Sequence, residues 1–256
     1  MKKSLILFDI DGTLLQSEIN QIPVSTKEAI VKLKEAGHEL AIATGRSLFL
    51  VDECIRQLPF NTFLTANGQH IMYNGEVIYE NAIPTEVVER LIEEADQLDI
   101  VIGLLSSTRS SVTSINDKVI ESFKRVSIPL PEVVENIHHK ESILQAWYFS
   151  DDFKHLPETF KEELRFVPWL DFGADIVPLN GSKAEGIKQL VNHLPHKPMQ
   201  IIAFGDGHND IEMLQLADIG VAMGNASDEV KKHADFITKS IDQDGVYYAC
   251  EKLGLF

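Results

Sequence analysis

Leu5-Ile6-Leu7-Phe8-Asp9-Ile10-Asp11-Gly12-Thr13-Leu14-Leu15 is an apolar run of strand length that breaks into two aspartates one residue apart. A continuous run of this kind reads as a parallel strand buried on both faces. Strand side chains alternate, so Asp9 and Asp11 would share a face if the strand continued. Gly12 and Thr13 end it and let the chain turn. Two carboxylates are thereby expected at the carboxyl end of a strand, where open α/β sheets bind ligands. Such a pair can hold a hard cation such as Mg2+. One of the two can attack phosphorus.

Outward from this stretch the chain alternates strand and helix. Ser25-Thr26-Lys27-Glu28 has the form of a capping box and opens a helix ended by Gly37. Residues 39–43 read as a strand ending in Thr44-Gly45-Arg46, residues 47–57 as a helix, and residues 62–65 as a strand ending in Ala66-Asn67-Gly68. This rhythm is that of a doubly wound, mostly parallel Rossmann-like sheet. A hairpin follows around Asn74-Gly75. From Pro84 the pattern loosens into short strands and helices, with Ile128-Pro129-Leu130-Pro131 as a linker or edge. The first rhythm resumes at Gly181, with a helix over 182–194 and a strand over 200–204 that ends in Gly205-Asp206-Gly207-His208-Asn209-Asp210. The expected organisation is an α/β core from 1–83 and 179–256, interrupted by an α+β cap over 84–178.

The chain has 256 residues and a formal net charge of -16, from 39 acidic and 23 basic side chains. That balance argues against nucleic acid or an anionic membrane as partner, since both reward Lys/Arg patches. An anionic substrate would therefore need local positive charge, from a metal or a few placed cations. Cys54 and Cys250 lack metal-ligand spacing and read as reduced packing thiols. No signal core precedes Asp9, and no run approaches the ~20 apolar residues of a membrane span. A cytoplasmic location is expected, with no internal repeat.

Asp9, Thr44 and Asp206 each follow an expected strand, so a parallel sheet gathers them on one edge. Asp206, Asn209 and Asp210 add oxygens that suit Mg2+ and phosphate. The Thr44 hydroxyl and the Gly45 amide can approach a phosphate. Lys183 sits at a helix start, where ammonium and dipole both favour an anion. Asp210, early in a helix, would also cap well. Arg46 reads either as support for the phosphate site or as a surface ion pair. His208 and His138-His139 read as solvated loop residues, and Arg109 as part of a solvated turn.

In this order the stretches resemble the four motifs of the haloacid dehalogenase superfamily: Asp9-Ile10-Asp11-Gly12-Thr13-Leu14, Thr44-Gly45-Arg46, Ser182-Lys183 and Gly205-Asp206-Gly207-His208-Asn209-Asp210. Ala66-Asn67-Gly68 and the insertion resemble the Cof-type branch, subfamily IIB. Ala184 departs from the Gly that many Cof-type sequences carry after the Lys, and it adds only a methyl group. The resemblance implies a Mg2+-dependent phosphatase of small phosphorylated metabolites: sugar phosphates, nucleotides, flavin or pyridoxal phosphates. It implies Asp9 as nucleophile and Mg2+ ligand. Asp11 would be the general acid/base, with its backbone carbonyl on the metal. Ile10 (through its amide), Thr44, Gly45, Lys183 and Asn209 would bind phosphate. Asp206 would ligate the metal, and Asp210 would support it or a water bound to it. The alternatives are a phosphomutase of the same superfamily and a regulator that binds a phosphorylated ligand without turnover. Oligomeric state stays open, either monomer or dimer.

Overall fold

The computed structural model describes residues 3–16, 19–125, 128–151, 155–170 and 173–256. In chain order its strands are β1 (Leu5–Phe8), β2 (Glu39–Ala43), β3 (Thr62–Thr65), β4 (His70–Tyr73), β5 (Glu76–Glu80), β6 (Val101–Leu105), β7 (Ser110–Val112), β8 (Glu132–Val133), β9 (Gln145–Phe149), β10 (Leu164–Leu170), β11 (Gly173–Pro178), β12 (Ile201–Gly205), β13 (Ile219–Ala222) and β14 (Phe236–Ile237). The helices are α1 (Val24–Glu35), α2 (Glu53–Arg56), α3 (Thr85–Gln97), α4 (Asp117–Arg125), α5 (His155–Phe160), α6 (Lys183–His193), α7 (Ile211–Leu216), α8 (Asp228–Lys231) and α9 (Gly245–Lys252).

One sheet runs β14-β13-β12-β1-β2-β3-β4-β5, so it draws strands from both ends of the chain. Pairing is parallel from β14 through β3 and antiparallel at β4 and β5. The expected doubly wound α/β class is therefore the observed one. Central β1 is buried along its length, and its alternation divides the core. Ile6 and Phe8 pack with Ile30, Leu33, Val246 and Ala249 of α1 and α9. Leu5 and Leu7 pack on the other face with Ile187, Leu190, Met213 and Leu214 of α6 and α7. The Asn74-Gly75 hairpin is present, and both residues take positive φ, 51° and 85°, as a two-residue turn of this kind requires.

A second sheet, β10-β11-β9-β6-β7-β8, is built from residues between Val101 and Pro178. Its pairs are antiparallel except β7–β8. On β9, Ala146 and Tyr148 join α3 and α5 in one apolar cluster, while Trp147 and Phe149 join α4 and Ala66 in another. The second face is the one turned toward the first sheet.

Two local expectations are corrected, at residues 47–57 and at Ser25. Residues 47–57 do not form one helix. Leu48–Leu50 is a 3-10 turn, Val51 is extended (ψ 125°) and buried, and α2 is a single turn with Asp52 at its N-cap position but no side-chain cap. Arg46 collects the Leu50 carbonyl at 3.1 Å, which holds the chain out of an α-helix there. The capping box at Ser25 is also absent. Pro23 occupies the N-cap, and the Ser25 hydroxyl is spent on Asp244 Oδ1 at 2.5 Å. After the Pro-rich run at 128–131 the chain makes the short edge strand β8. The two cysteines are free, and Cys250 lies fully in the core.

Candidate active site

The site forms where β1, β2 and β12 end. The Asp9 amide donates to the Phe204 carbonyl at 3.0 Å, the last bond of the parallel ladder. The Ile10 carbonyl then accepts from the amides of Thr13, Leu14 and Leu15 (3.3, 2.9 and 2.8 Å), which curls the chain out of the sheet. The strand therefore does not continue, and the two aspartates part company. Asp9 is buried at 6% exposure, whereas the Asp11 side chain is 43% exposed. Gly12 takes φ +79°, and a Cβ there would stand 2.1 Å from Asp206 Oδ2, so a glycine is required on both counts.

Asp9 instead meets Asp206 and Asp210. One oxygen from each lies within 4.8 Å of the others. The Lys183 ammonium, fully buried at the first position of α6, donates to Asp9 Oδ1 and Asp210 Oδ1, each at 2.6 Å. Asp210 Oδ2 accepts from the amides of Asp206 and Gly207 at 2.9 Å each. Asp206 is held by the Thr13 hydroxyl at 3.0 Å and by Asn225 Nδ2 at 3.2 Å. Burial raises the Asp9 pKa well above the usual range. Lys183 opposes that rise, and Asp210, Asp206 and Asp11 add to it. Burial and the Asp210 charge push Asp206 up to about 7, against the Thr13 hydrogen bond. Burial works against the Lys183 charge too, but Asp210 and Asp9 outweigh it and raise its pKa. Three converging carboxylates against one ammonium leave excess negative charge in a dry site. The donors are all oxygen, so the residues fit a hard divalent cation.

Asp11 is not among these converging side chains. Arg46, 8% exposed, grips its carboxylate with Nε at 2.8 Å and Nη2 at 2.7 Å, and reaches Asp52 with Nη1 at 2.6 Å. Of the two readings of Arg46 the ion pair is observed, and it lies inside the site rather than on the surface. The Thr44 hydroxyl accepts from the Arg46 amide at 3.1 Å. A Cβ on Gly45 would stand 3.3 Å from the Asn67 amide, which keeps that backbone open. Lys183, Thr44, Gly45, Asn209 and Ile10 all lie at this edge, but Lys183 is engaged by carboxylates. His208 is exposed, and the Arg109 side chain is 60% exposed in a pair with Glu141.

Two residues went unread as site residues. Asn225 ties Asp206 to the Gly12 carbonyl, at 2.9 Å from the latter. Asn67 accepts from Asn209 Nδ2 at 2.9 Å and donates to Gln145 Oε1 at 2.9 Å and Asp175 Oδ2 at 2.7 Å. Its φ of 54° is the one available signal, because Asn-Gly after a strand marks a left-handed turn without revealing what the side chain reaches.

Between the two sheets a recess of about 330 Å3 opens over Asp9 and Asp11, walled by Leu50, Phe123, Ile128 and Trp147 with Gln145 and Asp175. Phe123 and Trp147 meet edge to face at 5.2 Å, so the aromatic pair is packed as core. A larger cavity, about 600 Å3, lies on the far face of the second sheet and carries none of the motif residues. Among the described residues no helix is long and apolar enough to cross a membrane.

The mostly parallel α/β sheet thus carries an acidic, lysine-braced carboxyl edge beneath a second sheet. The chain matches the haloacid dehalogenase-like hydrolase family over residues 6–250 and belongs to it. It is 37% identical over 256 residues to the putative phosphatase YkrA of Bacillus subtilis, covering 100% of this chain and 99% of that one. Among solved structures, the phosphatase-superfamily member BT1666 of Bacteroides thetaiotaomicron superposes with a TM-score of 0.91 at 31% identity, covering 100% of this chain and 96% of that one. The subclass IIB sugar phosphatase BT4131 superposes with a TM-score of 0.89 at 30% identity, covering 99% and 100%. The chain is a phosphatase of the Cof-type IIB branch.

Proposed function

We propose that the chain hydrolyses small phosphorylated metabolites with Mg2+, through an aspartyl-phosphate on Asp9, beneath a cap formed by residues 84–178. The observation that carries this reading is the contrast between two neighbouring carboxylates. Asp9 is buried against Lys183, and Asp11 is turned toward the recess in the grip of Arg46. Different environments are how two like carboxylates take different roles.

An Asp9 oxygen forms the new bond to phosphorus as the bond to the leaving oxygen breaks. Asp11 gives that oxygen its proton. It then takes a proton from water, whose oxygen attacks phosphorus and frees Asp9. Lys183 stabilises charge on the phosphoryl oxygens and holds Asp9 in place. The Thr44 hydroxyl, the amides of Ile10 and Gly45, and Asn209 orient the group. Asp9, Asp206 and the Asp11 carbonyl would hold Mg2+, with Asp210 bracing the site through Lys183 and the amides of residues 206 and 207. Bound there, the ion supplies positive charge that lets a carboxylate meet a phosphomonoester dianion. The partner is a small-molecule phosphate and not a nucleic acid or membrane.

The test is release of inorganic phosphate from a panel of metabolite phosphates, with Mg2+ or with EDTA, and with no sugar bisphosphate added. Release that needs Mg2+ supports the reading. Transfer to a second sugar position without free phosphate would make the chain a mutase. Binding without turnover would make it a regulator.

A further inference from the structure

The 3-10 turn Ile137–His139 packs against α3 on the face of the second sheet away from the catalytic recess. Strand β9 settles the sides: Gln145 and Trp147 line the recess, while Ala146 and Tyr148 join Val88, Leu91 and Ile137. His138, expected in a solvated loop, is 9% exposed instead. Its Nδ1 is buried with no hydrogen-bond partner. Native structures rarely leave such an atom unmatched, and an unrecorded ion is one ordinary explanation. The His139 ring lies 4.2 Å from the His138 ring, centroid to centroid. His139 Nε2 stands 3.5 Å from Glu89 Oε1 on α3. One ring nitrogen from each histidine and one Glu89 oxygen all fall within 4.8 Å of one another.

We propose that Glu89, His138 and His139 form a second metal site, for a borderline transition cation such as Zn2+. Tetrahedral bonds of ~2.0–2.1 Å place donors about 3.3 Å apart. The His139–Glu89 pair, at 3.5 Å, is close to that spacing, and a bound ion would draw in the other donors, which lie within 4.8 Å. Two imidazoles and one carboxylate select Zn2+, Co2+ or Ni2+ over Mg2+, the opposite preference to the all-oxygen cluster at Asp9. The adjoining cavity is lined by Glu93, Asp96, Asp99 and Glu135 and by no Lys or Arg among the described residues, so its field attracts a cation. Three protein ligands leave a position for water. The site would staple the 137–139 turn to α3. The same loop continues to Glu141, which accepts hydrogen bonds from Ser106 and Thr108, and the Ser106 carbonyl accepts from Ser47 beside Arg46. Occupancy would thus steady a loop that ends at a contact between the two sheets.

The experiment uses the untagged full chain in excess Mg2+, titrated with Zn2+ by calorimetry and with Co2+ by visible absorption. One tightly bound equivalent is expected, with a Co2+ spectrum of nitrogen-containing tetrahedral type. His139→Gln and Glu89→Gln, both at roughly half-exposed positions (50% and 43%), should fold normally and weaken Zn2+ by more than about tenfold. Their Mg2+-dependent phosphate release, measured without Zn2+, should match the parent. His138→Gln should behave alike. If it fails to fold, the other two decide. Equal Zn2+ stoichiometry and affinity in parent and variants, or no bound equivalent in the parent, would overturn the proposal.

Discussion

Asn209 donates its side-chain amide to Asn67 Oδ1 at 2.9 Å, and Asn67 passes the connection on to Gln145 and Asp175 of the second sheet. One buried amide thereby joins a residue at the proposed phosphate site to two residues over the proposed leaving group. Asn67 sits at φ 54°, so the backbone is held in a conformation that few side chains accept. Its Oδ1 and Nδ2 are both used, which fixes the orientation of the amide.

Replacing Asn67 with glycine keeps the left-handed backbone and removes all three hydrogen bonds. Each such bond contributes about 0.5–1.5 kcal/mol net, so a stability loss of about 1.5–4.5 kcal/mol is expected in denaturant melts. The kcat should fall along with kcat/KM, because Asn209 loses its anchor. Parent-like kinetics in a destabilised variant would leave Asn67 a purely structural residue.

The two aspartates of the first motif should separate cleanly. Asp9→Asn removes the proposed nucleophile and one oxygen of the acidic cluster, so no turnover is expected. Asp11→Asn keeps the backbone carbonyl but cannot shuttle a proton, and a loss of ~10²–10⁴ in kcat is expected. Rapid-quench trapping should find phosphoenzyme in Asp11→Asn and none in Asp9→Asn. A phosphorylated Asp9→Asn protein would place the nucleophile elsewhere.

The acidic cluster makes metal binding pH-dependent, and the sign follows from Asp206. Its pKa is pushed up from the ordinary carboxylate range to about 7. Below that pH the metal-free chain holds a proton where a cation must bind, so apparent Mg2+ affinity should fall about tenfold per pH unit as the pH drops. A raised folded-state pKa also means the metal-free chain is relatively most stable at low pH and loses stability as pH rises through about 7. The increase in Tm on adding Mg2+ should therefore be larger at pH 8 than at pH 5.5, two values chosen on the order of a unit either side of the titration. A stabilisation flat across that range would contradict the linkage.

Much of this was legible from the sequence because local pattern and tertiary role agreed. Leu5 to Phe8 is apolar at every position because both faces of β1 are covered, and Gly205 to Asp210 turns where the edge needs a turn. Legibility failed where a long-range partner overrode local preference. Residues 47–57 carry helical spacing, but Val51 is drawn into the core and Arg46 takes the Leu50 carbonyl. Ser25 and Glu28 have capping-box spacing, but the helix begins a residue earlier behind Pro23, and the Ser25 hydroxyl donates to Asp244. Nothing near Arg46 in sequence announces Asp11 as its target, and nothing near His138 announces its burial against α3.

Arg46 contacts Asp11, Asp52 and the Leu50 carbonyl with one guanidinium, and lysine cannot reproduce that fork. Arg46→Lys should fold but lower kcat more than it raises KM, because Asp11 loses its fixed orientation. Hydrogen bonds to charged groups contribute about 1.5–3 kcal/mol, and Asp11 is partly exposed, so a stability loss toward the lower figure is expected. An Arg46→Lys protein with an unaltered kcat would make the pair dispensable.

The proposed division of labour between the sheets can be read from Trp147. Its ring lies over Gly103, where a Cβ would stand 2.5 Å from the ring, and it meets Phe123 edge to face. With Leu50 and Ile128 it forms the apolar wall of the recess, while every phosphate and Mg2+ group proposed for the catalytic site belongs to the first sheet, its loops or the start of α6. Trp147→Phe keeps an apolar ring but shortens the wall. It should therefore change kcat/KM by about 10-fold or more for metabolite phosphates whose leaving groups reach that wall. For acetyl phosphate, whose leaving group is too small to reach it, little change is expected. Asn209→Ala, in contrast, should depress all substrates by a common factor, because it acts on the group they share. Measuring kcat/KM over one panel for both variants separates the two patterns. A uniform loss in Trp147→Phe, or a reordered preference in Asn209→Ala, would place selectivity on the first sheet and remove the reason for assigning the insertion the role of a cap.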